Sequence, residues 1–494
     1  MENGKNAIIS AWSKDGIEKF AKFLVENGYN IYSTSGTLKY LKERGIDCLD
    51  ASNLAKIPEM FNGRLKTLSS YLLGGILALD RNDPDLSRYN MVPIDLVMVS
   101  LYDFIDSMKS KNKEYEEMIE LIDIGGVTLL RAAAKNYTRV IVVPGNDYME
   151  FVMDRMKNGE LSLEDRKYLA SETFHLTSYY DYAISSYFGE STNYFNLAGK
   201  SFIKLRYGEN PHQKARTYNL FKPFFSVVKE GKELSYNNIL DAWTAWELVN
   251  RLDSNSCVVI KHNYPCGAAT GDNSLEMAFM SDEVSAYGGI LACNRPLKKD
   301  DWHILKDRYI EVVIAPDYEN ELLNAMEKKK NLRVLRGHYD YYNVPDVKIA
   351  GNIILEQEWN VKKELNFKIE TGNPPAKILN DLIFGWELVK TLKSNAVAIV
   401  KDLHLKSSGA GQPNRVDSVR IALEKAKSLG RIDDDSLLIS DGFFPFVDNL
   451  ELIHEFGIKN VAAPLGSIRD NEILKYASDK GLNFISVGER AFKH

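Results

Sequence analysis

The N-terminal stretch repeats one local pattern: a short apolar run, a small polar loop, then apolar residues at helical spacing. Ala7–Ser10 reads as a strand and Trp12-Ser13-Lys14-Asp15-Gly16 as a loop, after which Ile17, Phe20, Phe23 and Leu24 share a helix face. Asn30–Ser33 is a second strand, followed by Thr34-Ser35-Gly36-Thr37 and a helix through Leu41. Successive strand–loop–helix units constrain the chain to an α/β fold with a parallel sheet, because parallel neighbours need a crossover. Small hydroxyl residues and glycine at a helix start leave backbone N–H groups open to a phosphate; the same residues also cap ordinary helices.

A comparable strand recurs in Ser256–Gly267, SCVVIKHNYPCG. Cys257–Ile260 reads as buried and runs into Lys261-His262, with Pro265 and Gly267 expected to force the turn. A strand ending in a cation and an imidazole delivers both to a sheet rim, where open α/β folds bind ligands. Lysine can stabilise a developing oxyanion, and histidine moves protons near neutral pH. An isolated Lys-His pair is more often a surface lysine beside a packed histidine, so the pair needs support from elsewhere.

The chain has 494 residues, too many for one ordinary core, so two or more domains are expected. A net charge of −6 argues against a general nucleic-acid binder. Lys328-Lys329-Lys330 reads as the solvated end of a helix around Glu319–Met326. Four cysteines without paired spacing fit a reducing compartment and no disulfide framework. No apolar stretch reaches membrane-spanning length and the N-terminus lacks a signal-type core, so a cytoplasmic protein with no membrane partner is expected.

Other charges gather in the first half. Arg64-Leu65-Lys66-Thr67 brings two cations and a hydroxyl together, and the strand Leu96–Leu101 ends at Tyr102. Glu120–Gly126 reads as a further strand carrying Asp123 between isoleucines, and Val127–Asn136 as a helix with Arg131 and Lys135 one turn apart. Together they describe a pocket for an anionic ligand with acid/base work to do. Arg166–Phe188 reads as one long helix packed through Leu169, Phe174, Tyr179, Ala183 and Tyr187. The polar stretch Gly189–Lys200 follows, which sets domains at 1–195 and 196–494.

The segments ISAWSKDG, STSGT, PEMFNGRLKTL, SLYDF and IDIGGVTLLRAAAKN resemble the inosine-monophosphate cyclohydrolase domain of the bifunctional purine-synthesis enzymes. The resemblance implies a methylglyoxal-synthase-like, doubly wound domain. It implies that Ser13, Lys14, Thr34, Ser35, Gly36, Thr37, Arg64, Lys66 and Thr67 hold the nucleotide. Lys66, Tyr102, Asp123 and Lys135 would surround the closing ring. The chain departs from the pattern HPxxHGGIL that many members carry after KTL, having Leu68-Ser69-Ser70-Tyr71-Leu72-Leu73-Gly74-Gly75.

LRYGENPHQ, GKELSYNN, KHNYPCG, SAYGG, VVIAP, LKSNA, GAGQPNRVDSVR, SDGFFPFVD and GSIRDNEILKYASDKGL resemble the family's second domain. That domain is the transformylase acting on 5-aminoimidazole-4-carboxamide ribonucleotide (AICAR). The implied fold is a pair of cytidine-deaminase-like α/β units, with no internal repeat read in the sequence. The implied substrates are AICAR, formyl-AICAR, inosine monophosphate and 10-formyltetrahydrofolate as cosubstrate, and the implied assembly is a homodimer. Lys261, His262 and Asn395 would be catalytic. Arg206, Tyr207, Gly288, Glu311, Arg415, Phe443, Asp448, Ser467 and Arg490 would bind nucleotide or folate. No metal is implied, and a zinc deaminase is disfavoured: Pro265-Cys266-Gly267-Ala268-Ala269 lacks the second cysteine, and no His-x-Glu triplet occurs. Tyr264, Tyr287, Ser407-Ser408 and Ala491 depart from the family pattern, and the bulk of Tyr264 is expected to narrow the folate pocket. The other readings are a chain with only the transformylase half active, a non-catalytic nucleotide sensor, and a methylglyoxal-synthase-like lyase. A sensor needs neither proton-transfer set, and the LYDF and RAAAKN segments disfavour the lyase.

Overall fold

The computed structural model describes residues 4–57, 60–189, 191, 193–339, 345–360 and 364–494. Pro58-Glu59 of the PEMFNGRLKTL motif, and Glu190 and Thr192 of the expected linker, lie outside the described residues. The chain divides into two compact units, 1–200 and 201–494.

In the first unit, Lys5–Ala11 (β1), Tyr29–Ser33 (β2), Leu49–Asp50 (β3), Leu96–Ser100 (β4) and Ile141–Pro144 (β5) form a parallel sheet of order β3-β2-β1-β4-β5. Ala7, Ile8, Ile9 and Leu96–Val99 are buried, as parallel strands covered on both faces require. Helices Ile17–Glu26, Gly125–Lys135 and Leu163–Phe188 pack against the sheet. Strand order reverses between β1 and β4, which opens a crevice beyond their C-terminal ends.

Two expectations fail here. Glu120–Gly126 is no strand: a helix ends at Glu120, and the next begins at Gly125. The alternation of isoleucines imitates period two, yet the Asp123 N–H donates to the Tyr180 hydroxyl at 2.9 Å instead of to a strand. The long helix buries Leu169 and Ala183 of the expected stripe but not Phe174, and Tyr179 and Tyr187 are only half-buried. Leu169, Thr173, Thr177, Tyr180 and Ala183 are buried, whereas Phe174 is exposed. Thr173 and Thr177 can point inward because each hydroxyl bonds a carbonyl of its own helix.

The second unit begins with β6 (Lys200–Lys204) paired to β7 (Arg216–Asn219). Its main strands are β8 (Phe225–Lys229), β9 (Ser256–Lys261), β10 (Tyr264–Thr270), β11 (Gly289–Cys293), β12 (Ile310–Ala315) and β13 (Arg333–Gly337). After the separate hairpin β14 (Asp346–Ala350) and β15 (Ile353–Gln357) come β16 (Phe367–Thr371), β17 (Val397–Lys401), β18 (His404–Gly409), β19 (Leu437–Ser440), β20 (Asn460–Pro464) and β21 (Asn483–Val487). The sheet order is β16-β21-β20-β19-β17-β18-β10-β9-β11-β12-β13-β8. It reads the same from either end once β10 is matched to β18, β9 to β17 and β11 to β19. The unit is therefore a duplicated fold, the pair of α/β units that the family resemblance implies, although no internal repeat is read in the sequence. Trp246-Glu247-Leu248-Val249 recurs as Trp386-Glu387-Leu388-Val389, Ser254-Asn255 as Ser394-Asn395, and Lys261 as Lys401. Arg251 and Thr391, 140 positions apart, are the matching residues of the two repeats and hydrogen-bond to each other. One core runs across both halves through Trp246 and Trp386, and separate cores fill the opposite face of each half.

The expected turn is also displaced. Lys261 pairs with Tyr264, so the two-residue turn is His262-Asn263, with φ of 56° and 58°. Pro265 and Gly267 lie within β10, where the register shifts between them. Gly267 answers a packing need: a Cβ there would meet the Ala278 carbonyl oxygen at 1.9 Å.

Candidate active sites

In the first unit, the C-terminal ends of β1, β2 and β4 surround a cavity of about 650 Å³. Lys14, Thr34, Ser35, Gly36, Thr37, Arg64, Lys66, Thr67, Tyr102 and Asp123 all line it. The Lys14 ammonium donates to the Ala11 carbonyl and lies 3.2 Å from the Thr37 hydroxyl, which in turn bonds the Ala11 backbone. Burial lowers the Lys14 pKa. Thr34 has no side-chain capping bond to the helix Ser35–Lys42; its hydroxyl lies 3.0 Å from Ser10 Oγ. The start of that helix, Ser35, Gly36 and Thr37, lines the cavity, the place where helix N-termini bind anions.

Asp123 sits where the helix Gly125–Lys135 starts, and its Oδ1 accepts the Gly126 N–H at 2.6 Å. Burial raises its pKa, opposed by backbone N–H groups of Gly126 and Tyr102. Both glycines are needed here. A Cβ on Gly126 would meet Asp123 Oδ2 at 2.5 Å, and one on Gly125 would meet Thr67 Oγ1 at 2.6 Å. Across the cavity Arg64 makes a two-point pair with exposed Glu120.

Two expected residues do not line this cavity. Ser13 stands beside it, its N–H 3.3 Å from Ser100 Oγ. Lys135 is exposed and lines a separate shallow hollow with Arg131, Lys167 and Phe174. Trp12 was missed by the sequence reading: it lines the cavity with its ring centroid 5.3 Å from that of Tyr102. The available signal was an exposed aromatic inside the ISAWSKDG loop. Ser69, in the departing segment, is buried and caps the helix Ser70–Leu77 by accepting the Tyr71 N–H.

In the second unit the site residues share one rim of the sheet. β9 and β17 run in opposite directions, so the end of β9, with Lys261-His262, and the start of β17, with Asn395, face the same way. Lys261 Nζ donates to the Tyr287 carbonyl at 2.6 Å, just before Gly288. Glu311 accepts from Asn238 Nδ2 at 2.9 Å and lies 3.6 Å from Arg333. Arg206 packs over the Tyr207 ring and bonds its hydroxyl.

In the other half, Asn395 Oδ1 accepts from Arg415 at 2.9 Å, and its amide donates to the Gln412 and Pro413 carbonyls. Arg415 is itself buried against Asp441 and Ser440. Beyond β19, Phe443 is half-buried and Asp448 exposed, while Phe444 is core. Ser467 follows β20 with its N–H on Asp470, and exposed Arg490 follows β21 beside Phe492. Tyr264 does not stand free beside His262: it is largely buried, with its hydroxyl on Ser408. Among the described residues, no group of three or more His, Cys, Asp and Glu is arranged to hold a metal ion, and no helix is long and apolar enough to cross a membrane.

A family model described as the AICARFT/IMPCHase bienzyme matches residues 133–425, and an MGS-like domain matches residues 16–128. A bifunctional purine biosynthesis protein PurH of Caldicellulosiruptor saccharolyticus is 42% identical, covering 99% of this chain and 100% of the relative. Proteins of the same description from Aquifex aeolicus and Clostridium botulinum are 41% and 40% identical, with the same coverage of both chains. The fold, the two rims of polar residues and full-length similarity agree, and the chain belongs to the AICARFT/IMPCHase bienzyme family.

Proposed function

We propose that the second unit transfers a formyl group from 10-formyltetrahydrofolate to AICAR and that the first unit closes the product to inosine monophosphate. Family membership over the full length supports the pair of activities. The observation that carries their division is two separate polar sites, one in each unit. In formyl transfer the 5-amino nitrogen attacks the formyl carbon, the bond from that carbon to the folate nitrogen breaks, and the amine proton must leave. His262 takes the proton, Lys261 stabilises the tetrahedral oxyanion, and the departing folate nitrogen receives a proton from Lys261 or from the protonated His262. Asn395, held by Arg415, faces the formyl oxygen. The flat half-buried ring of Phe443 and the exposed carboxylate of Asp448 fit a pterin with its amino groups. Arg206 and Arg490 suit the phosphate.

Ring closure is intramolecular: the carboxamide nitrogen attacks the formyl carbon and water is lost, so proximity supplies much of the rate. Asp123, with its raised pKa, suits removal of the amide proton. Lys66 polarises the formyl oxygen, with Tyr102 beside it, and the loop Thr34–Thr37 with Lys14 holds the phosphate. Lys135 lies outside this cavity in one chain, so its part in closure depends on a second copy.

The rim also supports a homodimer. From Glu311 on β12 to Arg490 after β21 there are eight strand steps, roughly 38 Å at ~4.8 Å each. That is too long for both ends to close on one nucleotide, whereas two copies can bring unlike ends together. The protein is proposed to be cytoplasmic, as its substrates are.

The test supplies AICAR and formyl-folate to purified protein and follows folate release and inosine monophosphate separately. His262→Ala loses formyl transfer by roughly 10²–10⁴-fold while still cyclising supplied formyl-AICAR. Lys66→Ala releases folate normally and accumulates formyl-AICAR. Loss of both activities from a folded His262→Ala protein would sink the two-site division.

A further inference from the structure

We infer that Asp241 is a positioning residue for formyl transfer, holding the His262-Asn263 turn in the shape that presents Lys261 and His262. The inference rests on the proposed role of that pair. Asp241 lies on the helix Tyr236–Arg251 and is buried. Its Oδ2 accepts the His262 N–H at 3.1 Å and its Oδ1 the Asn263 N–H at 2.6 Å. Both turn residues have positive φ, which side chains other than glycine enter at a cost. A carboxylate gripping the two N–H groups offsets that cost and leaves the turn one conformation. Burial disfavours the charge of Asp241, and these two N–H donors counter it.

The duplicated half contains the same device without the chemistry. Asp381 accepts the Asp402 and Leu403 N–H groups at 3.1 and 2.6 Å, and those residues have φ of 52° and 53°. This second turn joins β17 to β18 on the opposite rim, with aspartate and leucine where the first has histidine and asparagine. One carboxylate-clamped hairpin thus occurs twice in the chain. Only the first copy presents a proton-transfer pair, so the protein supplies its own control.

The experiment compares Asp241→Asn with Asp381→Asn in the full chain. Both replace one acceptor oxygen by a donor, and both are expected to lower the melting temperature alike. Asp241→Asn should lower kcat for formyl transfer on the order of 100-fold, as misplaced catalytic groups do. KM for AICAR and cyclisation of supplied formyl-AICAR should stay unchanged. Asp381→Asn should keep kcat. Adding Asn263→Gly to Asp241→Asn should restore kcat, since glycine adopts positive φ freely; this double variant also carries the test if the single one does not fold. A folded Asp241→Asn protein with wild-type kcat, an equal kcat loss in Asp381→Asn, or a double variant as slow as His262→Ala overturns the inference. Retained formyl transfer in His262→Ala would instead overturn the reading of the Lys261-His262 pair.

Discussion

The phenolic oxygen of Tyr264 lies 2.8 Å from Ser408 Oγ, joining the two central strands where the halves of the duplicated sheet meet. The sequence reading sets both residues apart from the family pattern, and the structure places them in one hydrogen bond. A buried tyrosine hydroxyl needs a partner, and Ser408 is that partner. The ring is thereby tied into the sheet beneath the rim.

Ser408→Ala strands the Tyr264 hydroxyl and is expected to cost ~1–3 kcal/mol in chemical denaturation. Tyr264→Phe removes a bond worth about 1 kcal/mol. The double variant should lose less than the two single losses added, since it leaves no orphan. Strict additivity would show that the residues do not act as a pair. Burial pushes the Tyr264 pKa up to about 12 from 10.0. Its proton is held more tightly in the folded state, so its contribution is complete below pH 10 and is lost as pH rises through 12. Tyr264→Phe should remove that contribution from the alkaline limb, which Tyr29 and Tyr179, also raised to about 12 by burial, share.

Asp123 should govern the acid side of cyclisation. As a base it works ionised, and burial raises its pKa, so the rate should fall on acidification at a higher pH than for an ordinary aspartate. The same shift weakens the fold above that pKa, because the folded state then holds a buried charge; Asp123→Asn should be no less stable at neutral pH while cyclising roughly 10²–10⁴-fold more slowly. A pH–rate profile for supplied formyl-AICAR measures this. An acid limb unchanged in Asp123→Asn would remove Asp123 from the mechanism.

Arg415 and Asp441 form a buried ion pair at the start of β17, and Arg415 also orients Asn395. Arg415→Ala leaves the Asp441 charge alone in the interior and is expected to cost about 3–5 kcal/mol in a denaturant titration. Formyl transfer should fall with it, while cyclisation in the other unit persists below the melting point. A loss under 1 kcal/mol would mean that water or another cation already serves Asp441.

How much was legible in the chain varied with how local the cause was. β1, β2, β4 and β9 were readable because each apolar run is its own signal, and so was the cluster from Lys14 to Asp123. The Glu120–Gly126 misreading arose because Tyr180, a long way along the chain, takes the Asp123 N–H. The His262-Asn263 turn was hidden because Asp241, on a preceding helix, stabilises it, while Pro265 and Gly267 are stronger local turn markers. Few identities mark the duplication along the chain; the family resemblance implies two units, and the sheet order shows them. The positions of Trp12 and Lys135 depend on tertiary packing that no spacing encodes.

A sheet built twice has two rims, and the proposed Lys261, His262 and Asn395 lie on one of them. The opposite rim carries Asp402 and Leu403, with Lys377, Asp435, Asp433 and half-buried Lys401 in ion pairs around them. On the proposed reading those side chains touch neither reaction, so they offer a place for an engineer's dye or tether, so long as Asp381 keeps its grip.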